Sequence, residues 1–179
     1  MYRYENQISA DIKSVIDNAL TAPGVSGWRA VQAFQREQYA NMENVVQYFT
    51  VSVNRTGWQG RDYTTENGQL YRHEKWRETR RIQIDCLKER KVTDTVNTFT
   101  AVDIARLLIA FFSGYGGTDA LMKKEYGRLT IENLRIPASL DNADKYRLHP
   151  GFDLLLVYDQ ELDIVNQAVE QISDSIYPI

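Results

Sequence analysis

The chain has 179 residues, of which 43% are hydrophobic and 25% charged, and its formal net charge is −3. These values are typical of one globular domain with a full core, here residues 1–179, and the acidic balance argues against a dedicated nucleic-acid-binding protein. The single cysteine cannot form a disulfide within the chain, and no stretch resembles a secretory signal or reaches transmembrane length, so we expect a soluble protein of a reducing compartment with no membrane partner.

The first predicted element is an amphipathic helix. Over residues 9–20 the apolar side chains recur at spacings of three and four, and Ser9 is a residue type that commonly caps a helix. Pro23-Gly24 ends this pattern. We predict extended structure for residues 28–35 and a polar loop for residues 36–44.

The next predicted elements are a strand and a long loop. Residues 49–55 alternate between apolar and polar, which predicts a strand whose inward residues are Phe49, Val51 and Val53. The chain then becomes rich in Gly, Thr and Tyr, and we interpret residues 56–70 as an extended loop. Asn67-Gly68 within it is a favoured hairpin turn.

Large aromatic residues distinguish this loop from an ordinary solvent loop. Trp58 and Tyr63 lie in it. Exposed aromatic side chains are frequent contact residues in interfaces, so we predict that these two contact another subunit. The alternative is that they fold back onto the sheet of their own chain.

A second strand and an apolar helix form the predicted centre of the fold. Residues 80–87 alternate, with one face formed by Ile82, Ile84 and Cys86 and a wet face formed by Arg81, Gln83 and Asp85. Residues 102–112 are almost entirely apolar, which predicts a helix covered on most sides. Thr100, three residues before Asp103, predicts an N-cap, and Gly114 predicts a stop.

The rest of the chain completes an α+β pattern. We predict a short helix over residues 119–126, a strand over 128–136 with a slip at Asn133, a polar loop over 139–146 and an interior strand over 152–158. Residues 159–179 fit either a helix or a strand. The order of elements predicts a mostly antiparallel sheet with the central helix packed across one face.

Charge is distributed unevenly along the chain. Residues 71–91 are mostly basic, whereas residues 150–179 contain no Lys or Arg. Either the two segments balance each other inside one fold, or they form surfaces of opposite charge that meet head-to-tail between copies. The second interpretation gives candidate contacts at Arg77, Arg80, Arg81, Asp159, Glu161 and Asp163.

Residues that carry enzyme chemistry are sparse. The two histidines, His73 and His149, have no partners at the spacing of a metal site. The segment 114–118 is glycine-rich but lacks the Lys-Ser/Thr ending of a phosphate-binding loop, and we interpret it as a helix stop. We therefore predict no catalytic residues, no metal, no cofactor and no enzyme activity.

Two segments carry a family resemblance. A Tyr-Phe-Thr-Val strand at residues 48–53 opens the predicted sheet, and the Arg-rich strand at residues 77–84 precedes the apolar helix. With the order of the other elements, this pattern resembles the tail-terminator and neck proteins of tailed bacteriophages, including gateway-type proteins that join head and tail.

The resemblance implies a mechanical function. Such a protein forms a ring, expected to be a hexamer, in the neck of the virion after assembly in the host cytoplasm. The ring terminates the tail, joins it to the head through other neck and tail proteins, and passes double-stranded DNA without sequence recognition. In this arrangement Trp58 and Tyr63 reach a neighbouring ring or subunit, and the basic strand faces acidic residues of an adjacent copy.

Three other functions compete with this interpretation. In the first, the protein is another ring component of the virion, such as a head-completion or baseplate subunit. Alternatively, it is a soluble ligand-binding α+β domain or enzyme, with its pocket between the central helix and the sheet. The third is a nucleic-acid-binding regulator, against which the acidic charge argues.

Overall fold

The computed structural model describes residues 3–33, 44–88, 95, 97–127, 129–136, 138–140 and 146–166. Its helices are α1 (Glu5–Ala19), α2 (Ala101–Ser113) and α3 (Tyr115–Met122). Its strands are β1 (Arg29–Gln32), β2 (Val45–Glu66), β3 (Gln69–Leu87), β4 (Leu129–Arg135), β5 (Ala138–Leu140), β6 (Tyr146–Leu148) and β7 (Gly151–Asn166). The predicted α+β class is confirmed.

Five strands form the main sheet, in the order β1-β2-β3-β7-β4. Only the β1–β2 pair is parallel, so the predicted antiparallel character is confirmed. β2 and β3 form one long hairpin closed by Asn67 and Gly68, whose φ angles are 52° and 80°. A two-residue turn with both residues at positive φ matches the twist of the flanking strands.

The core lies between one face of the sheet and the helices α1 and α2. Ile12 and Ile16 from α1 and Leu108 from α2 belong to the same buried cluster as Ile84 and Leu154 of the sheet. Phe112 meets Phe152 edge-to-face at 6.3 Å between ring centroids. The predicted packing of the central helix across one face is confirmed.

The predicted N-terminus of α2 is also confirmed. Thr100 accepts a hydrogen bond from the backbone N–H of Asp103, and the Asp103 carboxylate accepts one from the backbone N–H of Thr100, which makes a capping box. The bonds from Thr100 lower the pKa of Asp103. The helix is less completely covered than predicted, because Arg106 and Ala110 are exposed.

Two helix starts differ from the prediction. α1 begins at Glu5, because Ile8 is already on the buried face, and Ser9 lies inside the helix rather than at its cap. α3 spans Tyr115–Met122 rather than residues 119–126. Gly114 ends α2 as predicted, but Gly116 and Gly117 lie inside α3. A Cβ at Gly117 would lie 2.6 Å from the Phe112 Cα, so glycine permits the close approach of the two helices.

The predicted inward face of β2 is wrong. The buried residues in the described part of this strand are Val45, Val46 and Tyr48. Val46 and Tyr48 pair with Cys86 and Ile84 on the helix side of the sheet, whereas Val51 is 50% exposed. Phe49 is half-buried and Val53 is 43% exposed. The side-chain period of a strand is two, so an error of one residue exchanges the faces at Phe49, which pairs with Gln83. The register shift between Thr50 and Ser52 returns Val53, the partner of Arg80, to the helix side of the sheet, where it is nevertheless exposed.

The C-terminal half follows the predicted order. The slip at Asn133 is confirmed by its φ of 53° and by the register shift between Glu132 and Arg135. β7 is the predicted interior strand, between β3 and β4, and it continues to Asn166. β5 and β6 stand in place of the ends of the predicted polar loop. Residues 34–43, 141–145 and 167–179 lie outside the described residues, and parts of the predictions for residues 28–35, 36–44, 139–146 and 159–179 fall on them.

Candidate interaction surface

Three strands continue beyond the helices as a ribbon, which we call the arm. It consists of residues 54–66 of β2, 69–79 of β3 and 157–166 of β7. The expectation of a loop over residues 56–70 is therefore wrong: β2 and β3 stay paired to the Asn67-Gly68 turn, with one irregularity between Thr56 and Gly60. The strand signal in this stretch is weakened by Gly57, Gly60 and Gly68, because glycine is depleted in strand interiors.

A buried polar group holds the base of the arm. The Glu78 carboxylate accepts hydrogen bonds from Trp76 Nε1 at 2.8 Å, Tyr158 Oη at 2.9 Å and Gln160 Nε2 at 3.4 Å. These four are the buried side chains among the described residues of the arm. Burial acts to raise the pKa of Glu78, but the three donors outweigh it and the pKa is lowered.

Arg80 connects this group to the body of the protein. Its Nε donates to Tyr158 Oη at 3.0 Å, and its Nη1 donates to both carboxylate oxygens of Glu5 at 2.6 and 2.7 Å. Burial acts to lower the pKa of Arg80, but the interactions with Glu5 and Tyr158 together outweigh it and the pKa is raised. Burial also raises the pKa of Tyr158 to about 12. The start of α1 is thereby fixed to the base of the arm.

The outer face of the arm, which points away from the helices, carries a ladder of polar pairs between β3 and β7, formed by two ion pairs and one histidine–carboxylate pair. Their distances are 2.7 Å for Arg77 Nε to Asp159 Oδ1, 2.9 Å for Lys75 Nζ to Glu161 Oε1 and 2.6 Å for His73 Nδ1 to Asp163 Oδ1. Hydrogen bonds from Arg77 and Lys75 lower the pKa values of Asp159 and Glu161.

Two more carboxylates give this face an acidic excess. Asp62 pairs in register with His73, and Glu66 pairs with Gln69, so both lie on the outer side of β2. Five carboxylates therefore accompany two permanent cations, Lys75 and Arg77, which leaves a charge of −3 with His73 neutral.

The inner face of the arm, on the same side as the helices, has the opposite sign. Arg55 lies over the Trp76 ring at 4.6 Å, and Glu74 is approached by Arg61 Nε at 3.7 Å and Arg72 Nε at 3.2 Å. Three arginines against Glu74 and the buried Glu78 leave a charge of +1 on this face, since Arg80 at the base is already paired with Glu5. Tyr63, 56% exposed, shares this face through its pairing with Arg72.

The predicted contact residues differ in the face of the sheet on which they lie and in their exposure. Tyr63 lies on the exposed inner face, and Trp58 lies in β2, but its side chain is outside what the structure describes. Arg80 is only 4% exposed, so its prediction as a surface contact is corrected. Arg81 is half-exposed on the outer face of the sheet, where it approaches Glu132 at 3.3 Å.

The charge pairs just described are made within one chain. Arg77 with Asp159 and Lys75 with Glu161 therefore correspond to the interpretation in which basic and acidic segments balance inside one fold. Contact of Arg77, Arg81, Asp159, Glu161 or Asp163 with an adjacent copy stays a prediction.

The sequence reasoning missed the inner-face arginines, although the alternation Arg72, Glu74, Trp76, Glu78, Arg80 was a signal of one face.

The described residues offer little for bond-making chemistry. No group of three His, Cys, Asp or Glu side chains in the described ranges is placed to hold a metal ion. Cys86 is fully buried, and burial raises the pKa of its thiol, which disfavours the reactive thiolate. None of the helices in the described part of the chain has the length and apolar character needed to cross a membrane.

Comparison with known proteins gives one family. The family model described as E217 gateway protein gp29 matches residues 7–168, which extend from α1 through the C-terminal end of the arm. A search of curated proteins finds no match to the chain.

Proposed function

The chain belongs to the family of the E217 gateway protein gp29, as its predicted resemblance implied, and we propose that it is a structural ring component in the neck of a tailed bacteriophage. The observation that carries this proposal is the family match over residues 7–168 of the 179-residue chain. Copies form a ring, hexameric by the resemblance, that terminates the tail and joins it to the head. Its partners are copies of itself and other neck and tail proteins.

The shape of the protein supports a mechanical role. The arm extends beyond the helices while its base is fixed by Glu78, Arg80 and Tyr158. A ribbon with a fixed base presents its faces to a neighbour at a low entropic cost, because the backbone is ordered before contact. The two charged faces of the arm are therefore available for joining subunits.

The charge of the protein supports passage of DNA through the ring. A lumen rich in Lys and Arg would hold the duplex through phosphate contacts, whose number sets the affinity and its salt dependence. A net charge of −3 provides no such excess. The DNA passes without recognition of its sequence.

Electron microscopy and sedimentation test this function. We expect the purified chain, at high concentration or mixed with tail tubes, to form rings that bind at one end of the tube and stop its growth. Binding to capsid vertices alone would indicate a head-completion subunit, and binding to the distal end of tails would indicate a baseplate subunit. A strict monomer that ignores both heads and tails would contradict the proposal.

A further inference from the structure

We propose that copies of this chain join arm to arm, with the basic inner face of one arm docked on the acidic outer face of the next. This inference rests on the proposed function, since it names the surface through which the ring subunits associate. It assigns roles to residues that the sequence did not single out, above all Arg55, Arg61, Asp62 and Glu66.

The first support is the opposite sign of the two faces. Arg55 is exposed and Arg61 has a side chain that is 61% exposed, so both are available to a partner on the inner face. On the outer face, Asp159 and Asp163 have side chains 69% and 62% exposed although each has a partner within the chain. An exposed carboxylate with one bond retains acceptor sites for a second donor.

The second support is that the net charge of each face disfavours the symmetric alternative. A two-fold contact would place the same face of both arms together. That contact would oppose Arg55 and Arg61 with their own copies, or oppose the carboxylates of the outer face with one another. Like charges placed opposite each other at an interface are strongly disfavoured, so a head-to-tail contact is the arrangement that these charges permit.

The third support concerns the partner. Duplex DNA is the other polyanion that the inner face could meet, but Glu74 lies between Arg61 and Arg72 and engages both. A carboxylate at the centre of a basic face repels phosphate, while it tolerates a protein surface that also carries cations. The outer face is such a surface, because Lys75 and Arg77 lie among its carboxylates.

Exchange of charges between two variants tests the contact directly. The double variant R55E/R61E has two acidic faces, and the double variant D62K/E66K changes the charge of the outer face from −3 to +1 and keeps the basic inner face. We expect each variant alone to self-associate more than about tenfold more weakly than the wild type. An equimolar mixture should recover association, because the acidic inner face of one variant meets the altered outer face of the other.

Sedimentation velocity of the full chain is the readout, with thermal unfolding to verify the fold of each variant. The control is R106E/K123E, which reverses two exposed cations on α2 and next to α3, and it should associate like the wild type. If a double variant unfolds, the single variants R61E and D62K replace it. Raising the salt concentration should weaken association of the wild type, since salt screens exposed charges.

The outcomes separate this inference from the proposed function. A wild-type chain that forms rings while both variants form them equally well overturns the arm-to-arm contact and leaves the function intact. A wild-type chain that never associates, alone or on tails, overturns both. If fluorescence anisotropy shows that R55E/R61E loses binding to duplex DNA while its self-association is unchanged, the inner face is a DNA contact and the inference is wrong.

Discussion

The base of the arm allows a sharp test of how this protein is held together. Glu78→Gln keeps the shape of the side chain but removes the charge to which Trp76, Tyr158 and Gln160 donate. Hydrogen bonds to charged groups contribute about 1.5–3 kcal/mol and those between neutral groups about 0.5–1.5 kcal/mol. With two short bonds weakened, at 2.8 and 2.9 Å, we expect the free energy of unfolding to fall by about 2–3 kcal/mol at neutral pH.

The same substitution has a defined pH dependence. The pKa of Glu78 is lower in the folded state than in the unfolded chain, because the donors outweigh the effect of burial. A lowered folded-state pKa gives stability that is present above the unfolded value, about 4.3 for Glu, and that is lost as the pH falls through the folded value. The difference between the wild type and the variant should therefore be constant above about pH 5 and should shrink in more acidic solution.

Urea unfolding across this pH range measures the difference, with hydrogen exchange to locate it. Protection of the arm amides should fall in Glu78→Gln, because the base is loosened. The matched control is Glu66→Gln, which removes the same charge from an exposed position at the tip of the arm and should change stability little. A stability difference that persists unchanged into acid, or that is absent near neutral pH, would refute the assigned role of the Glu78 charge.

Three further expectations concern the core, the turn and the arm surface. Leu108→Ala, at a site with 0% exposure, should lower the free energy of unfolding in urea by about 2–5 kcal/mol, and a loss below 1 kcal/mol would show that α2 is not in the core. Gly68→Ala should cost about 1–2 kcal/mol, because its φ is 80°, and an unchanged melting temperature would contradict the turn geometry. The double variant Trp58→Ala/Tyr63→Ala should leave the monomer folded but block the joining of phage heads to tails. Normal yields of infectious particles would exclude these two aromatic residues as contacts.

The sequence predicted best where local chemistry and pattern agree. Thr100 and Asp103 form a capping box at the start of an apolar run, and the structure has this helix start. Asn67-Gly68 predicted a hairpin turn, because few other dipeptides adopt two positive φ angles. Asn133 marked an irregular strand for the same reason. Each of these signals is confined to a few neighbouring residues.

The errors arose where long-range pairing decides the structure. Val51 and Val53 are apolar, but they lie beyond the cover of the helices, and a bulge between Thr50 and Ser52 shifts the phase of β2. Residues 56–70 were interpreted as a loop because a ribbon without a core under it lacks the apolar alternation of an ordinary strand. The partner strand β7, about ninety residues away in sequence, stabilises this ribbon, and no local pattern reveals it.

The candidate surface was missed for a related reason. When charges are summed over continuous segments of the sequence, residues 71–91 are net basic and residues 150–179 are net acidic. A strand sends alternate residues to opposite faces, so the physical surfaces are formed by every second residue of three strands. On the outer face Lys75 and Arg77 are matched by Glu161 and Asp159, and the unmatched basic charge appears on the inner face.

The pairs of the outer face have more value for positioning than for stability. Exposed ion pairs contribute little to folding, because water screens them and ordering two long side chains costs entropy. Asp159 and Glu161 are nevertheless fixed at defined points along the arm by Arg77 and Lys75. A neighbour that docks on this face meets carboxylates that are already ordered, so less entropy is lost on contact. These pairs hold the face in one arrangement, while Asp62, Glu66 and Asp163 give it its acidic excess, and a repeated head-to-tail contact requires both.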